Sequence, residues 1–242
     1  MVTFRTPQIT SECHDILGGR FLYREGRGPA WHRLGKSFPD GTVDLVEAVH
    51  QAGADFDLAT AVPYIFTAQG RKKVEDYRFV VRQPLTEDPE YRILGAVGKD
   101  YHVHDNVELA KQINHLTTKW PVETVGVLAQ GATFFAVLDA GEFEVKGDSG
   151  RQYFTLIDDK SGNRALRSIF TPVVTVCRNT CIAAESASTA AFRIRHHKEA
   201  MLDLRFVGQM IDRMSKTQDK TIETFNRMAE QKLNTQEVLN LL

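Results

Sequence analysis

The sequence predicts an α+β fold: an antiparallel β-meander packed with helices and followed by a long C-terminal helical segment. Three observations carry this. The 242 residues are 42% hydrophobic and 25% charged, an ordinary globular balance with enough apolar material for a real core. Between residues 56 and 176 apolar runs of strand length, rich in Val, Ile and Phe, are broken by turn signals such as Gln130-Gly131. Apolar spacing of three and four, the helical period, appears at 42–52 and 104–120 and again after Lys198.

Taken in order, residues 1–41 read as an irregular arm, because Gly18, Gly19, Gly26, Gly28, Pro29, Gly35, Pro39 and Gly41 interrupt it every few residues. The α+β core domain is expected over 42–197. Its first helix follows from Val43, Val46, Val49 and Ala52, with Thr42 as the expected cap and Gly53 as the stop. "FDLATAVPYIFTAQGRKKVEDYRFVVRQ" reads as strands with a turn at Gln69-Gly70 and alternation through Tyr77, Phe79 and Val81, and "RILGAVG" as another short strand. A second helix follows from Val107, Ala110 and Ile113, capped by Asp105 or Asn106. "VETVGVLAQG", "ATFFAVLDAG", "RQYFTLIDD" and "RALRSIFTPVVTV" make the meander, and 193–195 a last strand. Over 198–242, Met201, Leu204, Val207, Ile211 and Met214 give the helical segment its stripe.

A formal net charge of -1 excludes a global attraction to nucleic acid or membrane, so any polyanion site rests on local segregation. Such segregation is present: Lys160, Arg164, Arg167, Arg178, Arg193, Arg195 and Lys198 share their stretch with Glu185 alone. Cys13, Cys177 and Cys181 make no disulfide framework and point to a reducing compartment. The N-terminus lacks a signal-peptide core, and no apolar run is long enough to span a bilayer, so a soluble cytoplasmic protein is expected.

The stretch "FTPVVTVCRNTC" sets an apolar run against chemistry-bearing residues. Cys177, Cys181, His196 and His197 offer zinc-type ligands, but Cys-x-x-x-Cys and adjacent histidines converge poorly on one ion, and packed thiols are the better reading. A catalytic thiol needs a base that no local signature supplies. Arg178, Asn179 and Thr180 at a helix start suit phosphate, against plain capping by Thr175 or Asn179. His102 and His104, beside Asp100 and Asp105, share a strand face without a third ligand at a diagnostic spacing, which favours polar packing. Arg71, Lys72 and Lys73 precede Tyr77 and Phe79, a basic and aromatic interleaving used on single strands and also found on ordinary edge strands. Trp31 sits in the Gly/Pro arm as an anchor or a stacking platform. No phosphate-binding loop, dinucleotide fingerprint, nucleophile elbow or zinc-protease helix occurs.

Several stretches in order, "PAWHRLG", "VGKDYHVHDNVEL", "ETVGVLAQGATFFAVLD", "FTPVVTVCRNTC" and "FRIRHHKEAMLDL", resemble the phage/plasmid-like proteins grouped as domain of unknown function 932. The resemblance runs from about Pro29 to about Leu204. It implies a phage, prophage or plasmid origin and no established activity. The chain departs from the family pattern at Val174, at Cys181 and at "DDKSGN", where a His-Asp-Gly is usual, which moves the expectation from catalysis to binding.

The function expected is single-stranded DNA binding and annealing in phage or plasmid recombination, by a ring- or filament-forming oligomer, a fold-level analogy with single-strand annealing recombinases. Phosphate contacts are expected from Arg164, Arg167, Arg178, Asn179, Thr180, Arg193, Arg195 and Lys198, a second basic edge from Arg71, Lys72 and Lys73, and stacking from Tyr77 or Trp31. That mechanism calls for no cofactor, no metal, no catalytic residue and no membrane. The alternatives are a metal- or thiol-dependent enzyme acting on nucleic acid, built on His102, His104, Cys177, Cys181 and His196, and a mobile-element protein that binds a host protein.

Overall fold

Alternating β-branched and aromatic residues decide the architecture. In the computed structural model, residues 16–26, 33–39, 43–145, 147–187 and 190–197, with 220, 223, 224, 226 and 227, are described. The strands are β1 (Ile16–Arg24), β2 (Lys36–Phe38), β3 (Leu58–Ala61), β4 (Tyr64–Thr67), β5 (Gly70–Lys73), β6 (Tyr77–Arg82), β7 (Arg92–Gly98), β8 (Val122–Leu128), β9 (Thr133–Val145), β10 (Asp148–Asp159), β11 (Leu166–Thr171) and β12 (Ala190–Ile194). The helices are α1 (Leu45–Gln51), α2 (Asn106–Ile113) and α3 (Arg178–Ser186). One seven-stranded sheet runs in the order β12-β11-β10-β9-β8-β1-β2, beside a three-stranded sheet β3-β6-β7 and the β4-β5 hairpin.

The large sheet buries both faces, which is why its strands read as almost continuous apolar runs. On one face Val125, Val127, Phe134, Ala136, Leu138, Phe154 and Phe170 meet Leu45, Ala48 and Val49 of α1 and Leu109, Ala110 and Ile113 of α2. Trp120 closes that core, 5.7 Å from Phe154 and 5.4 Å from Phe170 between ring centroids. On the other face Phe135, Val137, Ile157 and Ile169 pack with Phe21 and with Cys181 and Ala184 of α3. Each such side chain withdrawn from water contributes about 1.5–3 kcal/mol. Helix ends are fixed by side chains: Asp44 accepts from Glu47 N at 2.9 Å, Asp105 from Val107 N at 2.7 Å, and Asn114 Oδ1 accepts from Leu45 N at 2.9 Å, tying α1 to the end of α2.

The expected α+β class is therefore corrected. The helices hold seven, eight and nine residues, strands dominate, and the large sheet is mixed because β2 runs parallel to β1. Helical periodicity at 42–52 and 104–120 marked real helices of about two turns, too short to set the class. The long helix expected over 198–242 falls outside the described residues, apart from 220, 223, 224, 226 and 227. Residues 16–24 of the supposed arm are β1, paired antiparallel with β8 and carrying a bulge between Ile16 and Phe21. Gly18 and Gly19 take positive φ of 52° and 73° there, so the glycines mark a bulge where they had read as disorder of pattern. Among the described residues no helix is long and apolar enough to cross a membrane.

Candidate functional site

Strand alternation carries the core-facing series Phe154, Leu156 of β10 on to Asp158 and then Lys160, and both charged residues are wholly buried. The Asp158 carboxylate is shared: Oδ2 accepts from Lys160 Nζ and Oδ1 from His196 Nε2, the latter at 2.6 Å. His196 arrives two residues after β12, whose Ile194 pairs with Leu166 of β11. Burial alone would raise the Asp158 carboxyl, but the Lys160 charge and the His196 hydrogen bond outweigh it and hold the group well below the usual carboxylate range. An ionised Asp158 makes His196 Nε2 the donor, which fixes the ring's orientation and leaves Nδ1 as its other nitrogen.

Aromatic rings stack around that histidine. Tyr101 lies 4.7 Å and His104 5.5 Å from it between centroids, and His102 is 4.8 Å from His104. The Tyr101 hydroxyl donates to the Asp159 carbonyl at 3.2 Å, and burial, with Asp158 and Asp159 nearby, pushes that phenol up. Burial pushes His104 down to about 4, so its ring is neutral at pH 7. Among the described residues His104 Nε2 is buried without a hydrogen-bond partner, which costs about 1–3 kcal/mol.

Beside this cluster opens a cleft of about 630 Å³, with Lys99, Tyr101, Arg164, Arg195 and His196 in its walls. The β10–β11 turn shapes one side. Asp159 Oδ1 accepts from Ser161 N at 2.8 Å, and Asn163 Nδ2 donates to Ser161 Oγ at 2.9 Å. The turn presses on β7 so closely that a Cβ at Gly95 would overlap the Ser161 carbonyl.

A different surface element stands close by in the chain. Every residue of β4 and β5 is exposed, including Phe66 at 84% and Ile65 at 50%. The Arg71 guanidinium lies 3.6 Å over the Tyr64 ring, a cation–π contact. The hairpin's base closes with Val74 N donating to Pro63 O at 2.9 Å, after which the chain passes Asp76, on the cleft, to the exposed Tyr77.

Residues 93–242 match the family described as Domain of unknown function (DUF932). The chain belongs to this family. No curated protein and no solved structure matches it. The matched span of this DUF932 protein contains Tyr101, His102, His104, Asp158, Lys160 and His196, whereas the β4-β5 hairpin precedes it.

The residues singled out by sequence are spread across these features. Arg195 lines the cleft, exposed, and Arg193 is exposed on β12. Arg164 lines the same cleft with Glu185 3.6 Å away, and Arg167, 11% exposed, is ion-paired with Glu185, so Arg167 is committed to holding α3 on β11. Arg178 and Asn179 are exposed in the first turn of α3. Cys177 is the N-cap of α3, in place of the expected Thr175 or Asn179, and Thr180 at the third helical position completes a capping box, its Oγ1 accepting from Cys177 N at 2.9 Å. Arg71, Lys72, Lys73 and Tyr77 are exposed as a basic and aromatic edge. Trp31 and Lys198 lie outside the described residues.

For the enzyme alternative, Cys181 packs in the α3-side core, while His102, His104 and His196 gather around Asp158. The Cys181 thiol is pushed by burial up to about 12, which removes it as a nucleophile at neutral pH. Among the described residues no three His, Cys, Asp or Glu are grouped to hold a metal. Sequence reasoning missed Asp158 and misread Lys160 as part of a basic surface. The available signal was spacing, since Asp158-x-Lys160 is an i, i+2 pair of the kind a strand places on one side; His102 and His104, expected on a strand face, lie instead in the loop between β7 and α2.

Proposed function

We propose that this DUF932 protein binds single-stranded DNA, gripping it on the β4-β5 hairpin and leading it past Tyr77 toward Arg195 and Arg193. The observation that carries this reading is the hairpin itself: a two-stranded element with every side chain exposed, bearing Tyr64, Ile65 and Phe66 against Arg71, Lys72 and Lys73. Large exposed apolar groups on a soluble surface call for a partner. Here each stands opposite a cation across the hairpin, so the partner is one that offers flat π-faces and phosphates together, a single strand whose bases are unstacked. A duplex hides its base faces and can use only the cations. Annealing of complementary strands by an oligomer, in the cytoplasm of a bacterium that carries the phage or plasmid, belongs to the same proposal.

Fluorescence anisotropy of a labelled oligonucleotide, single-stranded and duplex in parallel across a salt series, tests it. Expected are tighter binding of the single strand and a log–log salt slope of roughly 0.7 per phosphate neutralised. Equal binding of both forms, or none at low salt, overturns it.

A further inference from the structure

The cleft beside His196 is distinct from the hairpin and has its own chemistry. Its volume of about 630 Å³ suits a ligand of nucleotide size. Lys99, Arg164 and Arg195 face Asp76 and Asp100 in its walls, leaving the cleft cationic, with His196 and His197 in addition. Lys99 is 3.9 Å from Asp76, and Arg164 is 3.6 Å from Glu185. Arg195 has no carboxylate partner among the described residues and is exposed. Behind the wall, Asp158 holds the His196 ring by Nε2 and is itself held by Lys160.

A fold holds two buried charges and an unpaired His104 nitrogen at this spot. Buried ionic groups and orphaned polar atoms are costly, and they collect where geometry serves a ligand. We infer that the cleft is a binding site for a nucleoside monophosphate, its phosphate held by the Arg195 guanidinium, with Lys99 and Arg164 at the rim. The same chemistry is offered by a free nucleotide and by the phosphorylated end of a strand. The inference stands on the cleft alone and holds for a free nucleotide even if the hairpin binds no DNA.

Isothermal titration calorimetry of the full chain with deoxyadenosine 5′-monophosphate, deoxyadenosine and inorganic phosphate tests it. The monophosphate is expected to bind more tightly than either fragment. Arg195→Ala, at an exposed position, should leave the thermal midpoint unchanged and weaken the monophosphate about tenfold, with partial recovery in Arg195→Lys. Competition by an oligonucleotide carrying a terminal phosphate, but not by its unphosphorylated twin, identifies the strand end as the source; displacement by neither identifies the free nucleotide. No heat from the monophosphate, or binding that Arg195→Ala leaves intact, overturns the inference. Loss of oligonucleotide binding in the anisotropy assay with monophosphate binding retained would fault the hairpin reading alone.

Discussion

Two buried charge clusters sit in the large sheet, and they differ in one respect that matters. Near the β1 side, Arg24 bridges Glu123 and Asp139, the latter at 2.7 Å, and Arg151 reaches Asp139 at 2.6 Å and also pairs with Glu142. Burial would raise the Asp139 carboxyl, but Arg24, Arg151 and the Gly141 amide hold it below the usual range. That cluster pins β1 to β8, β9 and β10, and none of these residues lines the cleft. Around Asp158 the same ingredients recur, but with three histidines, an orphaned ring nitrogen and an open cleft alongside. Buried charge alone thus says little about function; buried charge that supports a side chain facing a cavity says more.

Removing one partner from either cluster should be the largest effect. Arg24→Ala and Lys160→Ala each strand buried carboxylate charge, and urea unfolding should show about 3–5 kcal/mol lost. The comparison sharpens if nucleotide titrations then separate them: Lys160→Ala weakens binding at the cleft and Arg24→Ala does not. Equal weakening by both would mean that the cleft senses stability and nothing more specific.

Gly95→Ala comes next. The added methyl meets the Ser161 backbone, which cannot swing aside as a side chain would, and overpacking of this kind costs about 1–3 kcal/mol. Because the displaced turn carries Arg164, thermal melts and nucleotide affinity should both drop.

Acid provides a smaller, graded test. The folded chain keeps His104 neutral down to about 4 against an ordinary value of 6.5, so between those values the unfolded chain binds more protons. Stability therefore falls as pH is lowered through that window, by at most about 1.4 kcal/mol per pH unit for this one group. Asp158 and Asp139, both depressed, add losses in the same direction at lower pH. Thermal midpoints across pH should show a shallower slope in His104→Gln; an unchanged slope would mean that another group governs the acid limb.

The same contrast between inside and outside explains what was legible in the sequence. β8 to β11 were readable as apolar runs because both their faces are covered, and the turn at Gln130-Gly131 stood out against them. β1 was not, because its bulge glycines look like loop residues until β8 is placed beside them. The hairpin's Arg71, Lys72 and Lys73 were visible since exposure is what a charge run usually signals. Lys160 defeated that rule: its partner Asp158 is close in sequence, but the histidine that completes the group lies 38 residues further on, and only the β11-β12 pairing joins them. The fold class was misjudged because short helices give the same period as long ones.

The smallest effect on stability is expected at the hairpin. Phe66→Ala removes an exposed ring, and its folding free energy should change by no more than about 0.5 kcal/mol. The measurement that bears most directly on the account is single-strand affinity, by anisotropy at fixed salt, of a Phe66→Ala, Lys72→Ala double variant whose thermal midpoint matches the wild type. The account predicts affinity at least about tenfold weaker, from one lost stacking platform and one lost phosphate contact. Wild-type affinity in that variant would contradict it.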